Sequence, residues 1–240
     1  MKSFSGYRLE LDVGNTRIKW RLVSAEKVLH QGVDLKSEVA FEVGAPSWLA
    51  DVHDVWVSSV HHEQNKWIES QFTTVHYAAT KDTQCGLINS YADVSRMGVD
   101  RWLAMLAARQ RDVSSSHIVI DAGTAITLDV VDAIGQHVGG YICPGLEMMK
   151  QALLGGTNKV LADSEWEIGR DPGVETQVCV DHGIQDMVLS WFERHFSLSP
   201  DAKVTISGGD GEKLSELLGL KDDYCPDLVL DGLNISLKNK

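Results

Sequence analysis

What this chain has little of limits what it can be. Four cysteines, Cys85, Cys143, Cys179 and Cys225, are spread over 240 residues. No two have Cys-x-x-Cys or zinc-ligand spacing, and the chain is neither small nor cysteine-rich, which excludes a disulfide scaffold and a cysteine zinc site. Reduced thiols in a cytoplasmic protein are the expectation. Histidine offers no other route to zinc, because the adjacent His61 and His62 point different ways on a helix or a strand. No stretch approaches the roughly 20 apolar residues of a membrane span, and the opening Met1-Lys-Ser-Phe-Ser-Gly-Tyr-Arg8 has no apolar signal core. A soluble protein with no membrane partner is expected. Positive charge is also scarce: 22 Lys and Arg stand against 34 Asp and Glu, a formal net charge of -12. That balance speaks against a nucleic-acid partner, which needs a basic face. The motif Gly-x-x-x-x-Gly-Lys-Ser/Thr is missing as well, which excludes a P-loop. An acidic protein that binds ATP must then create positive potential locally, from a few Lys or Arg, helix N-termini, glycine N–H groups and a metal ion.

What is present is a pattern that occurs twice. Asp12-Val-Gly-Asn-Thr16 follows the apolar run Leu9 to Leu11, and Asp121-Ala-Gly-Thr-Ala125 follows Ile118-Val-Ile120. Each reads as a strand that ends in a carboxylate, turns through glycine and re-enters a strand, Ile18 to Val23 or Ile126 to Val131. The surrounding elements repeat too. Strands are expected at 8–12, 18–24 and 27–33, a weak helix at 36–50, a strand at 52–60, a helix at 63–72 and a short strand at 75–78. The second half is expected to carry strands at 117–121, 125–132 and 136–143, helices at 145–154 and 175–196, a strand at 203–207, a helix at 211–218, a strand at 227–230 and a short terminal helix. Between the halves lie a long irregular region, 79–97, and a helix over 100–111 whose Val99, Trp102, Leu103, Leu106 and Ala107 share one face. The Ser114-Ser-Ser116 break sets a boundary there. The class is α/β: a duplicated fold of two domains, 1–113 and 114–240, with a nucleotide in the cleft between them.

Each motif has an ordinary reading beside a functional one. Gly14 lets the backbone approach an anion, Asn15, Thr16 and nearby N–H groups can donate to phosphate oxygens, and Arg17 and Lys19 are the local cations. Asp12 makes sense beside phosphates only with a bridging Mg²⁺. The same residues also suit a plain hairpin turn. Gly98-Val-Asp100-Arg101 opens the helix at 99–111. Asp100 there either complements the helix dipole or orients a hydroxyl and accepts its proton late, and Arg101 can bind a carboxylate through two parallel bonds. Gly139-Gly-Tyr-Ile-Cys-Pro-Gly145 and Gly208-Gly-Asp210 each lead from a strand into a helix, as a joint or as a ligand-facing turn.

Taken in order, these motifs resemble those of the type III pantothenate kinases: Asp-x-Gly-Asn-Thr-x-x-Lys-Trp at 12–20, Gly-x-Asp-Arg-Trp at 98–102, Asp-x-Gly-Thr-Ala-x-Thr at 121–127, Gly-Gly-x-Ile-x-Pro-Gly at 139–145 and Gly-Gly-Asp at 208–210. The resemblance spans nearly the whole chain. It implies the duplicated ribonuclease-H-like fold of the actin, sugar-kinase and Hsp70 ATPases. It implies that Asp12, Val13, Gly14, Asn15, Thr16, Arg17, Ile18 and Lys19 form the first ATP-phosphate loop, with Mg²⁺ held near Asp12 through the phosphates. Thr124 is implied to contact ATP in the second loop, on the adenosine side, and Asp121 to be the ligand of a required monovalent cation, K⁺ or NH₄⁺. Asp100 is implied to be the catalytic base, and Tyr91, Gly98, Val99, Asp100, Arg101 and Thr176 to bind pantothenate. A homodimer is implied, with apolar residues on the helices at 101–108 and 184–192 as one source of its surface. Two alternatives remain at this stage: another phosphotransferase or polyphosphate-type hydrolase of the superfamily, and a non-enzymatic accessory factor for gene expression.

Overall fold

The structure is a computed structural model that describes residues 6–35, 51–59, 62–155 and 165–238. The expected helix at 36–50 lies outside them. The chain divides into two compact units, Met1–Gln110 together with Asp227–Lys240, and Arg111–Pro226. Among the described residues, no helix is long and apolar enough to cross a membrane.

The first unit is built on strands β1 (Tyr7–Val13), β2 (Arg17–Ser24), β3 (Lys27–Leu35), β4 (Val52–Ser59) and β5 (Val75–Tyr77), with helix α1 (His62–Gln71) between the last two. The sheet order is β3-β2-β1-β4-β5. β1 to β3 form an antiparallel meander, and β4 and β5 add in parallel. Central β1 is covered on both faces. Leu9 and Leu11 enter the apolar core with Val55, Val57 and Ile68, while Glu10, pointing the other way, is also fully buried. The irregular region after β5 contains a small hairpin, β6 (Thr83–Gln84) and β7 (Leu87–Ile88), and a single 3₁₀ turn over Val94–Arg96. Helix α2 (Val99–Arg111) departs from the amphipathic expectation: Val99 and every residue from Arg101 to Arg109 are buried. A helix covered all round is a core element. The face at 101–108 considered as a dimer surface is therefore interior to this chain.

The second unit repeats the plan with β8 (His117–Ala122), β9 (Ala125–Val131), β10 (His137–Pro144), helices α3 (Leu146–Gly155) and α4 (Thr176–Leu198), β11 (Lys203–Ser207) and helix α5 (Gly211–Leu217). Its order, β10-β9-β8-β11, is an antiparallel meander with one parallel addition, the same order as β3-β2-β1-β4. The duplication read in the sequence is thus a duplication of topology. Ile118, Ile120 and Leu128 of the sheet pack with Leu189 and Phe192 of α4. Behind them Lys150 of α3 and Asp181 of α4, both buried, pair at 2.9 Å. Asp181 also accepts from the Glu167 N–H at 3.0 Å, and Gln185 donates to the Glu167 carbonyl at 2.7 Å, so the two helices pin the segment that precedes α4.

The expected strand at 227–230 is a helix, α6 (Leu228–Lys238). A short apolar run such as Leu228-Val-Leu230 fits a buried strand and a buried helix equally, and the continuation through Leu233 and Leu237 sets the longer period. The strand position beside β11 is marked by a single bridge, Ile206 to Tyr224, closed by the Cys225 N–H on the Ile206 carbonyl at 2.7 Å. α6 belongs to the first unit, so that unit is assembled from both ends of the chain.

Charge holds α6 in place. Glu10 accepts from Arg8 Nε at 2.9 Å, Arg21 Nε at 2.5 Å and Asn234 Nδ2 at 2.8 Å. Arg21 also donates to Asp231 Oδ1 at 2.7 Å and to the Leu230 carbonyl at 2.8 Å. Burial works against the Arg21 charge, yet Glu10 and Asp231 hold its guanidinium above its ordinary pKa. The end of α6 is tied down by Lys238, which pairs with Glu26 in the β2–β3 turn.

A histidine in the second unit sets a pH dependence. His195 of α4 is buried against Tyr141 and Trp191, with ring centroids 4.8 Å and 5.8 Å away. Its Nε2 has no hydrogen-bond partner among the described residues. Burial, helped by the charge of Arg194, lowers its pKa below the ordinary 6.5. A depressed histidine pKa means that the unfolded chain takes up the proton first. The stability it contributes is complete above the unfolded value, about 6.5, and is lost as pH falls through the lower folded value. Melting temperature should therefore drop as pH is lowered from about 7 to 5, and His195→Phe should flatten that slope. An unchanged slope in the variant would show that other groups control it.

Candidate active site

The residues singled out around Asp100 come together in the first unit. Asp100 lies in the first turn of α2, half-buried, and its Oδ1 accepts from the Arg101 N–H at 2.8 Å. Gly98 leaves room for this carboxylate, because a Cβ there would stand 2.4 Å from Asp100 Oδ1 and push it aside. The guanidinium of Arg101, buried at its base, donates from Nη1 to the Tyr91 hydroxyl at 3.0 Å and lies 5.8 Å from the centre of that ring. Tyr91 is placed by its own N–H on Asn89 Oδ1 at 2.9 Å. Met97, just before Gly98, is placed by Thr80 Oγ1 on its carbonyl at 3.0 Å and by Asn89 Nδ2 on its sulfur at 3.5 Å. Sequence reasoning passed over Thr80 and Asn89. Their signal was weak: two polar residues in an irregular stretch. Their function is to make 79–97 a fixed wall. The result is a carboxylate beside an arginine at the start of one helix, with a phenol bonded to that guanidinium, a set with the chemistry to hold a hydroxyl at one end of a small molecule and a carboxylate at the other.

The Asp12 loop is a tight hairpin turn, closed by the Gly14 N–H on the Arg17 carbonyl at 3.0 Å. Asn15, Thr16 and Arg17 at its tip are exposed, Val13 and Ile18 are buried, and Asp12 is half-buried. In the register Asp12 stands opposite Lys19 on one side and Ser58 on the other. The Asp121 loop closes in the same way, with the Gly123 N–H on the Ala125 carbonyl at 3.0 Å. Two distant motifs brace it. The Gly145 N–H bonds the Thr124 carbonyl at 3.0 Å and the Asp210 N–H bonds the Ala122 carbonyl at 2.9 Å. A Cβ on Gly145 would fall 2.1 Å from the Gly123 carbonyl oxygen, and one on Gly208, whose φ is +92°, 2.3 Å from that of Ala122. The two glycine motifs of the second half are thus there to let backbone reach backbone around this loop.

The donor sets suit the expected cations to different degrees. Among the described residues, no group of three or more His, Cys, Asp or Glu could hold a metal ion. A phosphate-bound Mg²⁺ asks for only one or two carboxylates, and Asp12 fits that need. Asp121 stands opposite Thr127 and Ser207 in the register, so one carboxylate and two hydroxyls share a face, hard oxygen donors suited to K⁺.

Thr176 belongs to the second unit, in the first turn of α4. It lines a groove of about 570 Å³ with Leu153, Val174, Cys179, Ile184 and Met187. Neither Asp100, Arg101 nor Tyr91 lines that groove, whose walls are mostly apolar.

Comparison with known proteins decides among these readings. A family model described as type III pantothenate kinase matches residues 8–197. The type III pantothenate kinase of Marinobacter nauticus is 36% identical over 94% of this chain and 96% of its own length. That of Pseudomonas aeruginosa is 33% identical over 95% and 98%. The chain belongs to the type III pantothenate kinase family. It is a kinase, a phosphotransferase, by that membership. Among solved structures, a protein from Campylobacter jejuni described as a Baf family transcriptional activator superposes with a TM-score of 0.66 at 17% identity, over 96% of this chain and 97% of that one. The activator of 2-hydroxyisocaproyl-CoA dehydratase from Clostridium difficile gives 0.50 at 12%, over 97% and 94%. At such identities the likeness concerns the fold alone, the duplicated ribonuclease-H-like, actin-like ATPase fold.

Proposed function

We propose that this chain transfers the γ-phosphoryl group of ATP to the primary hydroxyl of pantothenate, giving 4′-phosphopantothenate and ADP at the start of coenzyme A biosynthesis. Family membership supports the substrate class, and the observation that carries the assignment is the Asp100–Arg101–Tyr91 arrangement. Arg101 and Tyr91, already bonded to each other, receive the pantothenate carboxylate end. Asp100 orients the hydroxyl for in-line attack. The new O–P bond forms as the bond from Pγ to the β–γ bridging oxygen breaks, and the hydroxyl proton passes to Asp100 late and then to water. Gly98 and Val99 complete the wall. The Asp12–Lys19 loop takes ATP phosphates through its N–H groups, Asn15, Thr16, Arg17 and Lys19, and Thr124 contributes from its own loop. Mg²⁺ at Asp12 and K⁺ or NH₄⁺ at Asp121 supply positive charge for the phosphate oxygens. Thr176 contributes to substrate binding in a cytoplasmic homodimer.

The test is release of ADP in a coupled assay, with and without pantothenate and with and without K⁺. Pantothenate-dependent release that needs K⁺ is the expected result, and release indifferent to pantothenate removes the proposal. Asp121→Asn should weaken activation by K⁺ more than it weakens pantothenate binding. An unchanged K⁺ titration in that variant would take the cation away from Asp121.

A further inference from the structure

The C-terminal helix lays one stripe of side chains along the face of β1 and β2 that ends at the Asp12 loop. Asp227, which leads into α6, Asp231 and Asn234 are spaced i, i+4 and i+7, so they share a side of the helix. On the sheet, Glu10 faces Arg21 and Asp12 faces Lys19 across one antiparallel ladder, two residues apart on each strand and therefore on one face. Helix and ladder match pair by pair. Asn234 meets Glu10 at 2.8 Å, Asp231 meets Arg21 at 2.7 Å and Asp227 meets Lys19 at 3.8 Å. The first two pairs are tight and lock the helix. The third is loose and partly exposed, with 26% of the Lys19 side chain and 30% of the Asp227 side chain accessible. An exposed pair of that kind adds little to stability. What it can do is restrict a long, flexible ammonium side chain to one direction.

We propose that Asp227 is a positioning residue for the phosphoryl-transfer reaction, holding the Lys19 ammonium in place to meet the ATP phosphates. The inference rests on the reading of Asp12–Lys19 as a phosphate loop. It adds a residue from the far end of the chain to that site and gives α6 a functional reason to return to the first unit. Register sets the Lys19 backbone beside Asp12, but register does not choose among the rotamers of a four-carbon stem. Asp227 does so, from a helix that is itself fixed by Glu10 and Arg21. Asp227 pairs with Lys19 and also stands just before the first turn of α6, so its effect on catalysis has to be read beside its effect on folding.

The experiment is steady-state kinetics on full-length Asp227→Asn, Asp227→Glu, Lys19→Met and the double variant Lys19→Met/Asp227→Asn, with a melting curve for each. Asp227→Asn should raise KM for ATP about tenfold, the scale of one hydrogen bond to a charged group. KM for pantothenate and the melting temperature should stay at wild-type values. Asp227→Glu should recover part of the loss, and the double variant should be no worse than Lys19→Met. If Lys19→Met raises KM for ATP and Asp227→Asn does not, the positioning role is wrong while the phosphate loop stands. If Asp227→Asn lowers the melting temperature and raises both KM values together, its role is structural and the proposal is overturned. If Lys19→Met leaves KM for ATP unchanged, the phosphate-loop reading fails and takes the proposal with it.

Discussion

Asp100→Asn is expected to lower kcat by at least about 100-fold, the low end of the loss seen when a positioned base is removed. The substitution is nearly isosteric. Asp100 Oδ1 accepts from the Arg101 N–H at 2.8 Å, and an amide oxygen can accept the same bond, so the start of α2 survives. What asparagine lacks is the ability to take the hydroxyl proton of pantothenate as the O–P bond forms. KM for pantothenate should change far less, because the Arg101–Tyr91 pair is untouched. The check is steady-state kinetics with pantothenate varied at saturating ATP. Turnover near that of the wild type would remove Asp100 from the chemistry and leave it as a helix-capping acid.

The second large effect is on stability. Glu10→Ala should destabilise the protein by about 3–5 kcal/mol, the range for removing one partner of a buried ionic network. Glu10 is fully buried and receives bonds from Arg8, Arg21 and Asn234. Taking it away leaves two guanidinium groups in the interior facing a cavity, and it unfastens α6 from β1. At roughly 2–4 °C per kcal/mol for a chain of this size, melting should fall by about 10 °C. Glu10→Gln should cost less, since it keeps the shape and one acceptor. A melting temperature within a degree or two of wild type for Glu10→Ala would mean that Asp231 and the Leu230 carbonyl satisfy Arg21 without it.

Much of the fold is legible in the sequence. The strand–Asp–Gly–strand repeat at Asp12 and Asp121 is a local pattern: alternation, a turn glycine and β-branched residues announce hairpins whatever else the chain does. Both are hairpins in the structure, and each unit has the same strand order around them. The 227–230 segment, helical where a strand is expected, differs for the converse reason. The three apolar residues Leu228-Val-Leu230 carry no period of their own, and the helix is set by the run that continues through Leu233 and Leu237 and by the bonds of Asp231 and Asn234 to Arg21 and Glu10, more than 200 residues earlier.

The duplicated α/β plan, the order of the five motifs and the family they identify all follow from residues close together in the chain. How the motifs touch one another depends on the packing of the chain. Arg101 reaches Tyr91, Gly145 and Gly208 clear space for the backbone around Gly123, and Asp227 meets Lys19. These are contacts between residues from ten to more than 200 positions apart, and separation along a sequence carries no distance. The distances are set by the packing of strands and helices into a common core, which local propensity does not encode.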